Sequence, residues 1–217
     1  MDNQAGARRP YRIVTPPSAA TMACKRAFDI LCSFLGLAVL SPVLLVVSVL
    51  VAVTSPGGVF FRQERIGKDG RPFRIFKFRS MRKDNAGLKI TTGNDSRITP
   101  VGRFLRKSKI DELPQLINVL VGDMSFVGPR PEVADYVNLY TPYQRQVLLV
   151  RPGITGLASI RFRNENDLLT ASDDPNRTYV EQIMPRKIDL DLEYIPHASV
   201  FYDIKLIFQT FAVVIKE

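Results

Sequence analysis

"ILCSFLGLAVLSPVLLVVSVLVAV", residues 30–53, is a run of 24 residues without one charge. At about 1.5 Å per residue, a helix of this length reaches roughly 36 Å, which is enough to cross a bilayer. Pro42 lies in the middle of the run, directly after Ser41, and there it removes a helix hydrogen bond and bends the chain. The Ser41 hydroxyl is well placed to cap a freed backbone group, which lowers the cost of a break in lipid.

Both flanks of the apolar run are basic, and basic flanks prefer the cytoplasm. Lys25 and Arg26 precede the run, and many more cations follow it, among them Arg62, Arg65, Lys68, Arg71, Arg74, Lys77 and Arg79. A spanning helix would place one flank outside, whereas a hairpin of two arms of roughly 18 Å keeps both inside. The sequence therefore favours a re-entrant hairpin over a single spanning helix, and a buried core helix fits a run of this length poorly.

The composition points to one ordered domain with an anionic partner. The chain has 217 residues, 46% of them hydrophobic, and its 30 Lys and Arg exceed its 21 Asp and Glu to give a net charge of +9. Nucleic acid, a lipid headgroup surface and a phosphorylated substrate are all anionic partners that fit this positive net charge. Cys24 and Cys32 fit neither a zinc site nor a disulfide framework, and His197 is the lone histidine. Acid–base or nucleophilic chemistry therefore falls to carboxylates.

Periodicity predicts an α/β fold that is rich in helix and has a small sheet, mounted on the membrane hairpin. "FRIFKFRSM", residues 73–81, alternates like a strand, and Leu113, Leu116, Ile117 and Leu120 form one face of a helix. Ser108 and Asp111 have the spacing of a capping box. The predicted segments are a leader over 1–22, a hairpin over 23–58 and a domain over 59–217. Within the domain we predict a loop over 84–103 and helices over 109–121, 133–149 and 179–194. The C-terminal helix is predicted to be amphipathic, with one stripe formed by Ile204, Ile207, Phe208, Phe211 and Ile215.

Asp111 and Glu112 are adjacent carboxylates in basic surroundings. Arg106, Lys107 and Lys109 precede the pair, and Arg130 follows in a rigid Gly-Pro-Arg-Pro turn. First-turn acids often only stabilise a helix, and for an isolated pair that reading would suffice. A helix start, two carboxylates and fixed guanidiniums together indicate a site for a phosphate with a divalent metal such as Mg²⁺. An Asp carboxylate can also attack phosphorus and form an acyl phosphate.

These motifs resemble the bacterial sugar transferase family, the monotopic polyprenol-phosphate phosphoglycosyl transferases, in their small catalytic form. The resemblance is carried, in the family's order, by "KRAFDI", "LSPVLL", "FRQERIGKDGRPFRIFKFRSM", "ITPVGRFLRKSKIDELPQLINVLVGDMSFVGPRPE" and "VRPGITGLASI". It implies a hairpin broken at Ser41-Pro42 and an enzyme whose domain faces the cytoplasm from the bacterial inner membrane. It also implies that polyprenol (undecaprenyl) phosphate receives a phosphosugar from a UDP-sugar at the start of glycoconjugate or exopolysaccharide assembly.

The resemblance also implies roles for individual residues. Asp111 is the expected nucleophile, which attacks the β-phosphate, releases UMP and carries the phosphosugar until polyprenol phosphate attacks. Glu112 is expected to bind Mg²⁺ with Asp111 or to accept the acceptor's proton. The expected substrate contacts are Arg106, Pro129, Arg130, Pro131, Lys77, Arg79 and Arg163. Arg26 and Asp29 are expected to stabilise the membrane helix at its headgroup end.

Expected partners are the UDP-sugar, polyprenol phosphate and membrane lipid, with no nucleic acid; a homodimer is a candidate assembly. After "ITGLAS" the chain departs from the small family members, because it reads "SIRFRN" where they have "QVNGRN". The region that follows plausibly helps select the sugar. Three alternatives stay open: a membrane-tethered nucleic-acid binder using Phe73, Phe76 and Phe78, a non-catalytic scaffold of the same fold, and attack at the sugar carbon with UDP as product.

Overall fold

The computed structural model describes residues 13–55, 57–82 and 97–215, so most of the predicted leader and of the predicted 84–103 loop lies outside the described residues. In chain order the helices are α1 (Ala19–Thr54), α2 (Pro100–Lys107), α3 (Gln115–Val121), α4 (Ala134–Val137), α5 (Leu157–Arg161), α6 (Glu165–Thr170), α7 (Pro175–Thr178), α8 (Met184–Tyr194) and α9 (Val200–Ile215). The strands are β1 (Phe60–Ile66), β2 (Pro72–Phe78), β3 (Ser125–Val127) and β4 (Gly153–Thr155). The described part of the chain is mostly helical with a small amount of β-sheet, as predicted.

Helix α1 contains the whole apolar run and is the one helix in the described part of the chain with the length and composition to cross a membrane. It is one continuous helix that contains Pro42, and the re-entrant bend at Ser41-Pro42 stays a prediction. The Ser41 hydroxyl donates to the carbonyl of Ala38 at 2.8 Å. Ala38 is the residue to which a backbone N–H at position 42 would have donated, so the expected capping by Ser41 is confirmed.

The strands form two separate pairs. β1 and β2 are an antiparallel hairpin in which Phe60 pairs with Phe78 and Ile66 with Pro72, and the predicted strand at 73–81 is confirmed as β2. β3 and β4 are parallel, with Ser125 opposite Gly153. The main hydrophobic core is built around α8 and includes Val127 of β3, with Ile188, Leu192 and Ile195 at most 3% exposed.

Two of the predicted helices differ from the structure. Residues 133–149 form only the short α4 and a 3-10 turn over Gln144–Leu149, because Pro142 cannot continue a helix. The helix predicted from 109 is a 3-10 turn, Ile110–Glu112, followed by α3. Predicted helices at 179–194 and at the C-terminus are confirmed, the first beginning as a π turn over Tyr179–Ile183.

The apolar face predicted for the 109–121 helix coincides only in part with the face of α3 that is buried in the domain. Gln115, Asn118 and Val119 are almost fully buried in the domain. Leu116 instead approaches α1, where a Cβ placed on Gly36 would lie 3.3 Å from its Cδ1 atom. α3 therefore lies between α1 and the rest of the domain, and both of its sides are occupied.

Asp191 of α8 is a buried carboxylate whose pKa is raised to about 7, because burial disfavours the charged form. Its Oδ1 atom has no hydrogen-bond partner among the described residues. The folded state therefore binds the proton more tightly than the unfolded chain does, whose value is near 3.8. It follows that the free energy of unfolding falls as the pH rises from about 4 to about 7.

Replacing Asp191 with Asn is expected to remove this loss. The difference in Tm between Asp191→Asn and wild type should grow between pH 4 and pH 7, to the equivalent of at most about 4 kcal/mol. Thermal unfolding in detergent at stepped pH measures this, with Asp173→Asn, an exposed change of the same chemistry, as the control. A Tm difference that stays constant across the window would contradict the expectation.

Candidate functional site

Three segments that carry predicted site residues are anchored on the same part of α1. Phe78, Leu105 and Ile110 pack with Val47 and Val51 in the second half of the membrane helix. Each of the three is a sequence neighbour of a candidate residue, respectively Lys77, Arg106 and Asp111. Helix α1 therefore holds these segments together and sets the site beside it.

Close backbone packing brings α2 against the end of β2. A Cβ placed on Gly102 would lie 1.9 Å from the carbonyl oxygen of Ser80, so only glycine fits there. Thr99 caps α2 by accepting from the Gly102 N–H at 2.9 Å. This contact places the last turn of α2, with Arg106, near the strand that carries Lys77.

The turn that carries the two carboxylates is tight and starts from an unusual backbone conformation. Lys109 is left-handed, with a φ of 56°, and the Glu112 N–H donates to its carbonyl at 3.1 Å. The Ser108 hydroxyl donates back to the carbonyl of Phe104 at 2.8 Å, so Ser108 ends α2. The predicted capping box between Ser108 and Asp111 is therefore wrong. Strained conformations of this kind cluster at functional sites.

Glu112 lies between two cations. Its Oε1 atom accepts from Lys77 Nζ at 2.7 Å and from Arg130 Nη2 at 2.7 Å. Burial opposes ionisation of Glu112, but the charges of Arg130 and Lys77 outweigh burial and hold the pKa of Glu112 well below its usual range. Glu112 is therefore a fixed anion and, as held here, a weak base.

Asp111 has the opposite electrostatic character. It is 7% exposed, and its Oδ1 atom is buried with no hydrogen-bond partner in the described ranges. Burial and the neighbouring charge of Glu112 raise the pKa of Asp111, while Lys77, Arg106 and Lys109 act against the rise. A carboxylate oxygen without a partner is a candidate ligand for a cation or a candidate nucleophile.

The Pro129-Arg130-Pro131 turn is held on both sides by main-chain contacts. Gly153 donates its N–H to the Pro129 carbonyl at 2.9 Å, next to the β3–β4 pair. Arg65, at the end of β1, donates through Nη1 to the Pro131 carbonyl at 3.0 Å. The turn is therefore rigid, and Arg130 projects from a fixed support.

Sequence reasoning missed the residues behind this turn. The Tyr179 hydroxyl donates to the Glu132 carboxylate, which also forms an ion pair with Arg65 at 3.6 Å. The Tyr179 ring packs on Tyr136 with centroids 5.0 Å apart. Tyr179 opens the π turn, a feature common at functional sites, but no local sequence signal marks such a turn.

The structure brings some of the predicted residues together and places others elsewhere. Arg106 is electrostatically coupled to Asp111, and its Nη1 lies 3.6 Å from Met81 Sδ. The guanidinium of Arg79 instead lies over Gly57. Arg163 is exposed and donates to the Val213 carbonyl of α9 at 3.4 Å. Contacts of Arg79 and Arg163 with substrate remain predictions, as does every catalytic or binding role.

The aromatic side chains proposed for base stacking are engaged within the protein. Phe78 is 1% exposed, and Phe60 stacks on it with centroids 5.6 Å apart. Phe76 is half-buried beneath Arg62, whose Cζ lies 4.8 Å from the ring centroid. Phe76 and Phe78 therefore offer a nucleic acid little free ring surface.

The carboxylates suit Mg²⁺ only in the company of a phosphorylated ligand. The described residues contain no group of three or more His, Cys, Asp or Glu side chains that could hold a metal ion. Mg²⁺ is commonly held by one or two carboxylates together with substrate phosphate oxygens and water. The unpartnered Oδ1 of Asp111 beside Glu112 fits that arrangement.

Comparison with known proteins shows that the chain is similar to sugar transferases. A family model described as "Bacterial sugar transferase" matches residues 20–217. The chain is 43% identical over 202 residues to "UDP-glucose:undecaprenyl-phosphate glucose-1-phosphate transferase" of Escherichia coli (strain K12), over 90% of this chain and 41% of that protein. It is 41% identical over 196 residues to "Exopolysaccharide production protein PSS" of Rhizobium leguminosarum bv. phaseoli, over 86% of this chain and 92% of that protein.

A relative with a different sugar in its name is nearly as similar. "UDP-N-acetylgalactosamine-undecaprenyl-phosphate N-acetylgalactosaminephosphotransferase" of Aeromonas hydrophila is 39% identical over 199 residues, over 89% of this chain and 44% of that protein. The chain thus spans less than half the length of this relative and of the E. coli relative. The two names share the nucleotide and the lipid acceptor and differ in the sugar.

Proposed function

Because the chain belongs to the bacterial sugar transferase family, we propose that it moves a phosphosugar from a UDP-sugar to polyprenol phosphate, with UMP as the released nucleotide. The observation that carries this proposal is the contrast between two adjacent carboxylates. Glu112 is neutralised by two cations, whereas Asp111 is buried with an unpartnered oxygen. Such a pair supplies one fixed anion and one nucleophile.

In the first step, an Asp111 carboxylate oxygen attacks the β-phosphorus of the UDP-sugar. The bond between that phosphorus and the oxygen that bridges the two phosphates breaks, and UMP leaves with the electron pair. In the second step, a phosphate oxygen of the polyprenol phosphate attacks the same phosphorus, and the Asp111 carboxylate leaves. The product is polyprenol-diphosphate-sugar, and Asp111 is regenerated without net proton transfer.

The cations around the pair would stabilise charge on the diphosphate. Arg130, fixed in its rigid turn, suits a phosphate oxygen because its guanidinium presents several donors in one plane. Asp111 and Glu112 would hold Mg²⁺, which when bound neutralises charge on the phosphate oxygens. The low pKa of Glu112 favours a role as metal ligand over a role as base.

The contacts between α1 and the domain support the proposed membrane placement. Its buried residues lie near its two ends, namely Lys25, Asp29 and Ser33 in the first half and Val47 and Val51 in the second. None of residues 34–46 is buried. A straight spanning helix would separate its ends by the roughly 30 Å bilayer core, and one domain could not touch both ends from one side. This supports a re-entrant course with its bend near Ser41-Pro42 and with the domain on the cytoplasmic face of the inner membrane.

Helix α9 offers a second apolar surface for the bilayer. Its Asp203 and Leu206 are buried against the domain, while Phe201, Phe208 and Phe211 are 87%, 70% and 61% exposed. Exposed aromatic residues on one stripe are typical of a helix that lies in the membrane interface. We infer that α9 lies in the interface and that α1 enters the bilayer.

The first experiment uses detergent-purified protein with Mg²⁺ and a panel of UDP-sugars, with polyprenol phosphate withheld. Intact mass spectrometry should show a phosphosugar adduct with one donor, and nucleotide analysis should show UMP. Release of UDP in place of UMP would indicate attack at the sugar carbon. If no donor gave an adduct or a nucleotide product, even with acceptor added, the non-catalytic scaffold would replace the enzyme.

A labelling experiment tests the topology. Cys24 precedes the apolar run and is exposed, and Arg71→Cys, in a Cys32→Ser background, places a second reporter after it. A membrane-impermeant maleimide should label both positions in inverted vesicles and neither in spheroplasts. Labelling of one position from each side would show a spanning helix and overturn the hairpin.

Tyr179→Phe tests the support of the Pro129-Arg130-Pro131 turn. The variant keeps the ring packing on Tyr136 but removes the hydroxyl that donates to Glu132. We expect the KM for the UDP-sugar to rise by about fivefold to tenfold with kcat little changed, since about 1 kcal/mol of positioning is lost. The matched control is Tyr136→Phe, which removes a hydroxyl bonded to Asn176 from the same ring pair. Equal effects of both variants would show that the hydrogen bond from Tyr179 to Glu132 has no particular role in positioning the turn.

A further inference from the structure

We propose that Arg26 and Arg151 form a binding site for the phosphate group of an anionic glycerophospholipid headgroup, at the N-terminal end of α1. The inference rests on the proposed membrane placement of α1. It concerns a cleft at the opposite end of the helix from the carboxylate pair, and the transfer reaction makes no use of it.

The two guanidiniums converge on one turn. Gly122 ends α3 in the left-handed conformation, with a φ of 101°. Arg26 donates to the carbonyls of Val119 and Leu120 at 2.5 and 2.7 Å, and a Cβ placed on Gly122 would lie 3.2 Å from its Nη2. Arg151 donates through Nε to the Gly122 carbonyl at 2.8 Å. The two charges therefore lie close enough to repel each other.

No carboxylate in the described part of the chain pairs with either arginine. Lys25 is paired with Asp203. Asp29 accepts from the Ser125 hydroxyl at 3.1 Å and from the Phe126 N–H at 3.2 Å. A guanidinium has five N–H donors, and the carbonyls of α3 and Gly122 take only a few of the ten. Asp29 attracts Arg26 without forming an ion pair with it. Two cations with spare donors are the recognition chemistry of a phosphate.

The cleft between the two arginines has rigid walls. It opens to solvent and encloses little free volume of its own. Its lining includes Lys25, Asp29, Ser125 and Tyr194, each at most 4% exposed. Arg26 and Arg151 are half-buried, so a phosphate would meet their guanidiniums at the solvent side of the cleft.

The surroundings favour a lipid over a soluble anion. Arg26 precedes the uncharged run by one helical turn, and Ile30 and Leu31 beside it are 43% and 59% exposed. Val121, next to the Gly122 turn, is 64% exposed. Basic pockets at this depth beside membrane helices bind anionic lipid headgroups. The phosphate would bind the two guanidiniums while the acyl chains lie along the apolar surface of α1.

The arginines also neutralise the carbonyl end of α3, and a test must separate that role from binding. Arg151→Gln keeps an N–H donor for the Gly122 carbonyl and removes the charge. Arg145→Gln is the matched control, because Arg145 is an exposed cation away from the cleft. Thermal unfolding of the detergent-purified chain would be followed with dihexanoyl phosphatidylglycerol, with uncharged dihexanoylglycerol or with inorganic phosphate.

Phosphatidylglycerol is expected to raise the Tm of wild type and Arg145→Gln, with an apparent affinity about tenfold or more weaker for Arg151→Gln. Equal responses of all three proteins, or an equal response to the uncharged lipid, would overturn the site. An Arg151-dependent response to inorganic phosphate alone, at the same concentration, would overturn the lipid assignment in favour of a soluble anion. Adduct formation with a UDP-sugar is measured on the same samples, so failure of the transfer function would be recognised separately.

Discussion

Asp111→Asn is expected to abolish the phosphosugar adduct and to lower turnover by about a thousandfold or more, since a carboxamide oxygen is a poor nucleophile toward phosphorus. The fold should survive the change. Asn has nearly the same volume as Asp, and the buried Oδ1 has no hydrogen-bond partner to lose among the described residues. Because burial raises the pKa of Asp111, the ionised carboxylate destabilises the folded state at neutral pH. The Tm of the variant at pH 7 should therefore equal or exceed that of wild type.

Intact mass spectrometry with the productive UDP-sugar measures the adduct, and release of UMP in the presence of polyprenol phosphate measures turnover. Asp173→Asn, an exposed change of the same chemistry, is the control and should retain both. An adduct on Asp111→Asn would move the nucleophile to another residue. Turnover within a few fold of wild type, without any adduct, would replace the covalent route with direct transfer.

Part of the site could be predicted because its residues are neighbours in sequence. Asp111, Glu112 and Arg130 stand in short motifs, and the surplus of cations around them in the sequence is enough to indicate an anionic ligand. The contacts of Glu112 could not be predicted from local sequence. Lys77 lies 35 residues before Glu112, and only the tertiary packing of β2 against the 3-10 turn brings the two within 2.7 Å. The same is true of Tyr179 and Glu132, which are 47 residues apart.

The apolar run is a strong signal because its length exceeds that of ordinary core helices. The two prolines inside predicted helices, Pro42 and Pro142, have different effects on helix continuation. At Pro42 the neighbouring Ser41 hydroxyl replaces the missing hydrogen bond, and the helix continues. At Pro142 the helix is absent, and the apolar residues around it pack instead from the short α4 and a 3-10 turn. Local sequence does not separate the two outcomes, because a hydroxyl residue precedes each proline, Ser41 in the first case and Thr141 in the second.

Arg130→Ala is expected to have the second largest effect on the transfer reaction. It removes one of the two cations that hold Glu112, and it removes the guanidinium that we propose for the diphosphate. Loss of a fixed donor of this kind to a charged transition state costs about 100- to 1000-fold in rate. We therefore expect kcat/KM for adduct formation to fall by about that factor, with Arg130→Lys intermediate because it keeps the charge and loses the planar fork.

The electrostatic consequence distinguishes this role from a structural one. Without Arg130, only Lys77 opposes the effect of burial, so the pKa of Glu112 should rise toward or above its usual range. Adduct formation by Arg130→Ala should then lose yield as the pH is lowered, at pH values where wild-type yield is still constant. Adduct yield by intact mass across stepped pH measures this, with Arg145→Ala as the exposed control. If Arg130→Ala stayed within threefold of wild type with an unshifted profile, the Pro129-Arg130-Pro131 turn would be only a scaffold, and the diphosphate cation would have to be sought at Arg106 or Lys77.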